Sequence, residues 1–502
     1  MTSQNTLLGV LNSAPGDHTA IIVPELDRRV SYDSLRQQVT GVANALAGAG
    51  IRRNDRVAMA LPNGLSAIVG FLAASIAGTA APLNPAYKYD EFCFFLEDTS
   101  ARVLLCPPEG ADDARRAAAA RNIPVYSVEM DSEAHVCLPG AFDESIAPLP
   151  APADIALILH TSGSTGRPKR VPLPHANVAV SAKNIAATYA LSSGDVSLCL
   201  MPLFHVHGLV ASTLATLVSG GTVVAPKKFD ATAFWRLVRD YRVTWYSAVP
   251  TIHQLLLARL GNKEKPAGAE SLRYVRSCST ALSPEIMHKL ENMFGVPVLE
   301  AYGMTEAAHQ MASNPLPPRA HKAGSVGPAT GIRISIMDDA GRHLAVDQRG
   351  EVVIQGPNVF HGYENNPEAN AKSFSDGWFR TGDQGFLDPD GYLHLTGRLK
   401  ELINRAGEKI APREIDEVLL THPAIAEAVT FGCPHATLGE EVAAAIVLRH
   451  PENSAEILEY CRERLAEFKC PKKLYVVQAI PLTATGKIKR SAVAEAVLSE
   501  NA

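Results

Sequence analysis

Between Arg56 and Lys88 the chain carries no charged residue, a stretch long enough to cross a bilayer. Pro62, Asn63, Gly64, Ser66, Gly78, Thr79 and Pro82 interrupt it. The pattern therefore predicts a strand over Val57–Leu61, a helix over Leu65–Ala77 and a strand over Ala80–Leu83. Such a unit is uncharged because it is packed on all sides, and no membrane span is expected. Similar β-rich and helical runs alternate up to about residue 275. Strands are predicted over Arg102–Cys106, Val125–Val128, Ile155–His160, Val196–Met201, Thr222–Ala225 and Val243–Ala248. Helices are predicted over Asp112–Arg121, Ala176–Tyr189, Leu209–Val218 and Ala231–Tyr241. Strands separated by helix-length connections give parallel sheets covered by helices, here as stacked α/β subdomains.

After Gly331 the period changes. Ile332–Met337 and Gly350–Gln355 read as strands without long helices between them, and Gly382–Asp383, Asp388–Gly391 and Gly397 read as turns. This predicts a smaller β-rich subdomain. From Arg398 the alternation returns: helix Pro412–Leu420, strands Ala426–Gly432 and Glu441–Leu448, helix Ala455–Leu465 and a strand over Lys473–Val477. The expected division is a large domain, 1–397, and a small α+β domain, 398–502.

The 502 residues are 46% apolar and 20% charged, enough to bury large cores. A net charge of −5 argues against a general nucleic-acid binder, though not against a local phosphate site. The eight cysteines form no C-x-x-C pair, which suits reduced thiols in a cytoplasmic setting. No secretory leader or peroxisomal address is read at the ends.

The chemistry starts at Thr161-Ser162-Gly163-Ser164-Thr165-Gly166-Arg167-Pro168-Lys169-Arg170, directly after a predicted strand. Glycines let backbone amides approach an anion, and hydroxyls with Lys169 add charge-assisted bonds, as a triphosphate requires. It is not a Walker A loop, because Pro168 stands where the second glycine should be and no Ser or Thr follows Lys169. The plain alternative is a solvated Gly/Ser linker.

This loop resembles the phosphate loop of the adenylate-forming superfamily: acyl-CoA synthetases, aryl-CoA ligases, luciferases and peptide-synthetase adenylation domains. Five further segments resemble that family's motifs in order: Pro202-Leu203-Phe204-His205, Ala301-Tyr302-Gly303-Met304-Thr305-Glu306, Thr381-Gly382-Asp383, Arg398-Leu399-Lys400-Glu401 and Pro481-Leu482-Thr483-Ala484-Thr485-Gly486-Lys487. The likeness runs from about residue 20 to 495. One departure is Arg170, where the family usually has glycine.

The resemblance implies an enzyme that joins a carboxylate to AMP with release of pyrophosphate, then passes the acyl group to coenzyme A. ATP, Mg²⁺ and CoA are the implied cofactors. It assigns Lys487 to the carboxylate and α-phosphate, Glu306 to Mg²⁺ and Thr305 to the α-phosphate. Tyr302 would stack on adenine, lined by Glu300, Ala301 and Gly303 with Ser279 and Thr280. Asp383 would accept the ribose hydroxyls, with Arg398 nearby. His205 would gate the acyl pocket. Lys400 would be the hinge on which the small domain turns, and Gly407 and Lys409 would lie on the CoA face. Without the family, Asp383 is an ordinary turn residue, Lys487 a surface lysine and His205 a core histidine. His205 and His207 at i, i+2 have no third ligand nearby, so no metal site is read there.

Acyl-pocket candidates are Val249–His253, Arg276–Ala281 and Ala307–Met311, and the polar residues offered are His205, His253, Arg276, Ser277, Ser279 and His309. A polar, basic pocket favours a very small or dicarboxylic acid, since a second carboxylate is buried only when paired. VPTIHQ, RSCS, LEAYGMTEAAHQMASNPLP, HKAGSVG and GPNV resemble the oxalate–CoA ligase branch, which makes oxalate the expected acid. The alternatives are another small or medium-chain carboxylate or aryl acid, a stand-alone enzyme loading a carrier protein, and a non-catalytic nucleotide sensor. The expected partners are the acid and CoA, with no nucleic acid and no membrane, in a monomer or homodimer.

Overall fold

The computed structural model describes residues 5–12, 14–140, 142–161, 168–261, 265–435, 437–482 and 488–500. The chain divides into two compact units. The first comprises Met1–Arg333 with Gln355–Gly377, the second Ile334–Ile354 with Trp378–Ala502.

The first unit is built on two sheets. In the six-stranded sheet, Arg56–Met59, Thr79–Pro82, Ala101–Cys106, Val125–Ser127 and Ile155–Thr161 run parallel, and Lys169–Pro174 closes one edge antiparallel. The uncharged stretch is a strand–helix–strand unit. Its helix Leu65–Ala77 is buried almost throughout, so every face of it meets protein. The eight-stranded sheet has the order His309–Ser313, Val298–Met304, Tyr274–Ser277, Trp245–Ala248, Val196–Leu198, Thr222–Val224, Thr19–Val23, Arg28–Ser31. It is parallel except at its two ends, where Val298–Met304 pairs antiparallel with His309–Ser313 and Thr19–Val23 with Arg28–Ser31.

Strand alternation gives this second sheet two unlike faces. Tyr246, Ala248 and Val275 enter an apolar core with Leu256, Leu290 and Phe294. Trp245, Ser247, Tyr274 and Arg276 point the other way, paired in register as Trp245 with Tyr274 and Ser247 with Arg276. That face carries the polar residues of the site.

In the second unit, Gly350–Gln355, Trp378–Leu387 and Leu393–Arg398 form an antiparallel run. A further sheet carries Glu408–Ile410, Ile403–Arg405, Gly439–Leu448, Ile425–His435 and Lys473–Val476. Strand Gly439–Leu448 is buried on both faces. Val442, Ala444 and Ile446 pack with Ile415, Leu419 and Ile457, while Ala443 and Ala445 pack with Tyr475, Val493 and Val497. All eight cysteines are free thiols. Among the described residues no helix is long and apolar enough to cross a membrane.

Candidate active site

The glycine- and serine-rich loop joins two antiparallel strands, Ile155–Thr161 and Lys169–Pro174, with Thr161 paired to Lys169 at its base. Ser162, Gly163, Ser164, Thr165 and Gly166 lie outside the described residues. The Lys169 ammonium stands 4.3 Å from the centre of the Tyr363 ring. Arg170 stands on the same strand, where the resembling family usually has glycine. Its side chain is largely buried and pairs with Glu364 at 3.2 Å and Asp98 at 3.7 Å. His160 Nε2 lies 2.9 Å from the same Asp98 carboxylate, and Arg56 pairs with Glu364. Burial holds the His160 pKa below its ordinary value despite Asp98. Arg170 is thus an anchor that ties the loop's downstream strand to the segment around Tyr363.

That segment leads to Glu306. Strand Val298–Met304 ends in a single 3₁₀ turn, Thr305–Ala307, before the chain reverses into His309–Ser313. The reversal is tight enough that a Cβ on Gly303 would come 2.2 Å from the His309 carbonyl oxygen. Thr305 and Glu306 are buried. The Tyr363 hydroxyl donates to Glu306 Oε1 at 2.8 Å, and the Phe360 amide donates to the Glu306 carbonyl at 2.8 Å. Burial and the Glu306 charge push the Tyr363 pKa up, so the phenol stays a donor. Among the described residues no three His, Cys, Asp or Glu gather into a metal cage. The donor set fits Mg²⁺, which keeps its waters and phosphate oxygens and takes one or two carboxylates. Glu300 is buried and accepts from the Leu282 amide at 3.1 Å, while Ala301 and Tyr302 are buried in the same strand and Thr280 is half-buried.

The polar face of the eight-stranded sheet holds Arg276, which is fully buried. Its Nε donates to Tyr189 Oη at 2.9 Å and Nη1 to Ser247 Oγ at 2.9 Å. Nη2 donates to Gln310 Oε1 at 3.0 Å and to His309 Nδ1 at 3.5 Å. Every one of these partners is neutral or a weak acid. Among the described residues no carboxylate pairs with this guanidinium. His207, also fully buried, places Nε2 2.6 Å from Ser247 Oγ and Nδ1 3.1 Å from Ser279 Oγ. Ser279 and His309 both hold positive φ, 78° and 117°, strained conformations for residues with a side chain.

His207 opens a π-helix, His207–Leu214, where the sequence predicted an ordinary helix from Leu209. Gly208 lets it pack, since a Cβ there would meet the Pro202 carbonyl oxygen at 2.3 Å. His205 precedes this helix, half-buried, and its Nδ1 accepts from the His207 amide at 3.2 Å. His253 is placed apart from the Arg276 group. It is fully buried, its Nδ1 lies 3.4 Å from the Tyr246 hydroxyl, and burial lowers its pKa to about 4. Its ring faces the main chain of Ala248 and Arg276, and it makes no hydrogen bond to the side chains of Arg276, Ser279 or His309 among the described residues.

In the second unit Asp383 is nearly buried and pairs with exposed Arg398, Oδ1 to Nε 3.2 Å, on adjacent strands. Glu351 shapes this turn: one carboxylate oxygen accepts from the Gly382 amide at 2.8 Å, the other from Arg380. Lys400 is exposed in the short turn Leu399–Glu401. Gly407 and Lys409 sit on the hairpin Ile403–Arg405/Glu408–Ile410, whose two-residue loop needs positive φ at Ala406 (50°) and Gly407 (93°). Lys487 lies outside the described residues.

Sequence reasoning missed Tyr363, Glu364, Glu351, Tyr189 and Ser247, whereas Gln310 lies inside the candidate segment Ala307–Met311. Ser247 left a signal, a small polar residue inside the buried aromatic run of Trp245–Ala248.

The description of an AMP-binding enzyme matches residues 10–364, and that of the AMP-binding enzyme C-terminal domain matches 414–487. The chain belongs to the AMP-binding enzyme family. An oxalate–CoA ligase of Arabidopsis thaliana is 46% identical over 91% of each chain. An oxalate–CoA ligase of Saccharomyces cerevisiae is 43% identical over 99% of this chain and 98% of its own. Among solved structures, ATP-bound MatB from Rhodopseudomonas palustris superposes with a TM-score of 0.90 at 31% identity, covering 99% of both chains. The mixed α/β fold read from sequence is the fold of this family.

Proposed function

We propose that this protein, an ATP-dependent acid–CoA ligase of the AMP-binding family, takes oxalate as its acid and forms oxalyl-CoA. The class follows from two near-full-length relatives that are CoA ligases and from the family match over most of the chain. ATP, Mg²⁺ and CoA are its cofactors. The observation that carries the choice of acid is Arg276, a fully buried guanidinium with no carboxylate partner among the described residues. An uncompensated buried cation costs several kcal/mol, a cost that an anionic ligand offsets. A monocarboxylate engaged with ATP offers no second charge; oxalate does.

In the proposed reaction a carboxylate oxygen attacks the α-phosphorus of ATP and the bond to pyrophosphate breaks. The CoA sulfur then attacks the acyl carbon of the mixed anhydride, and AMP leaves. Lys487 offsets the charge of the first transition state. Lys169 and the loop 161–166 hold the triphosphate. Thr305 binds the α-phosphate, and Glu306, oriented by Tyr363, holds Mg²⁺, which when bound neutralises phosphate charge. Tyr302, with Glu300, Ala301, Gly303 and Thr280, receives adenine, and Asp383 with Arg398 the ribose. His205 stands at the acyl pocket; Gly407 and Lys409 serve the CoA step in a small domain, 398–502, that turns at Lys400.

Pyrophosphate release by wild type and Arg276→Met tests the choice of acid. The variant is expected to lose most of its kcat/KM for oxalate while its kcat/KM for acetate changes little. Equal losses for both acids would remove Arg276 from acid selection.

A further inference from the structure

The hydrogen bonds around Arg276 have a direction that can be worked out atom by atom. A guanidinium only donates, so Ser247 Oγ accepts from Nη1 at 2.9 Å. The Ser247 hydroxyl hydrogen then has one acceptor among the described residues, His207 Nε2 at 2.6 Å. Giving that buried hydrogen an acceptor places the His207 proton on Nδ1, where it is donated to Ser279 Oγ at 3.1 Å. Ser279 is left with a hydroxyl hydrogen that no described residue accepts. On the other side, His309 Nδ1 accepts from Arg276 Nη2 at 3.5 Å, so His309 carries its proton on Nε2. The rings of His207 and His309 lie 5.3 Å apart.

We infer that Arg276 and Ser247 are positioning residues for acid specificity. Through His207 they fix Ser279 as a hydrogen-bond donor to the anionic acid, and Arg276 sets the tautomer of His309. This rests on the reading of an anionic acid in this pocket and adds how the pocket is polarised. The relay is a property of the protein before any ligand arrives. Tyr189 and Gln310 complete it by holding the guanidinium flat: the Tyr189 hydroxyl accepts from Nε and itself lies 2.6 Å from Ser313 Oγ. Gln310 Nε2 is fixed by Thr188 at 3.2 Å and Thr330 at 3.3 Å, which turns its carbonyl oxygen toward Arg276. None of these partners can take the proton from arginine, so Tyr189, Ser247 and Gln310 are all held as acceptors toward it.

Two measurements test it. The ¹⁵N spectrum of histidine-labelled wild type, without acid, should show His207 with an unprotonated Nε2 and a protonated Nδ1. A protonated Nε2 overturns the relay whichever acid the enzyme uses. Ser247→Ala should then raise the KM for oxalate about tenfold, the scale of one hydrogen bond to a charged group, with the KM for ATP unchanged. Ser247→Thr should restore it. An oxalate KM unchanged in Ser247→Ala, or an equal rise for oxalate and ATP, overturns the proposal. Wild type that adenylates oxalate no better than acetate defeats the oxalate reading instead, and the His207 spectrum separates the two failures.

Discussion

Replacing Tyr363 with phenylalanine removes one hydroxyl and little else. The ring that lies under Lys169 stays, and so does the Phe360 amide bond to the Glu306 main chain. What goes is the 2.8 Å bond to Glu306 Oε1, between two side chains whose residues are 7% and 5% exposed, together with the hydroxyl's bond to the Ser373 side chain. At that burial water does not replace the donor freely. A hydrogen bond to a charged group contributes roughly 1.5–3 kcal/mol, which corresponds to about a 10- to 150-fold change. If Glu306 is the Mg²⁺ carboxylate, the loss falls on the half-reaction that needs the metal. The assay is pyrophosphate release titrated with Mg²⁺, set beside thioester formation from supplied acyl-adenylate and CoA. Tyr363→Phe should need about tenfold more Mg²⁺ for half-maximal adenylation and should form thioester at the wild-type rate. An unchanged Mg²⁺ requirement, or equal loss in both halves, would refute the role given to Tyr363 and Glu306.

Other consequences concern stability. Arg170→Ala should lower stability by about 2 kcal/mol in urea unfolding, because it strips a mostly buried cation from Asp98 and Glu364; a change within about 0.5 kcal/mol would return Arg170 to the solvated surface. Gly208→Ala should destabilise the π-helix turn at His207, read as a drop in melting temperature, since the added methyl carbon meets the Pro202 carbonyl oxygen at 2.3 Å. Burial lowers the pKa of His175 and of His253 to about 4. The unfolded chain binds those protons first, so stability is full above pH 6.5 and falls as pH drops toward 4, by about 3 kcal/mol per histidine. Replacing His175 with glutamine should flatten that part of the urea-midpoint profile, and an unaltered slope would contradict the assignment.

Local pattern was legible where burial is decided locally. The helices Leu65–Ala77 and Pro412–Leu420 and the strand Gly350–Gln355 stand where periodicity and punctuation place them. Strand Lys169–Pro174 was not legible: two prolines and two cations read as loop, yet an edge strand with one free side tolerates proline. Strand Val196–Leu198 stops three residues short of the predicted Val196–Met201, although the Cys199 amide still bonds to the Val224 carbonyl. The motifs of the site carry their own spacing and could be read one by one. The bonds that give them direction could not, since Arg276 meets Tyr189, Ser247 and Gln310 from three other elements, and Tyr363 meets Glu306 across fifty-seven positions. Those contacts depend on strand register, which a single sequence leaves open.

The central claim is most directly tested by competition. The enzyme is given ATP, Mg²⁺, CoA and an equimolar mixture of oxalate, malonate, acetate, octanoate and coumarate, and the CoA thioesters are separated and weighed by mass spectrometry, so that product ratios report relative kcat/KM. Oxalyl-CoA as the dominant product, formed with AMP and pyrophosphate, is the predicted result. A mixture dominated by octanoyl-CoA or coumaroyl-CoA would contradict the reading of the Arg276 pocket as a site for a small dianion.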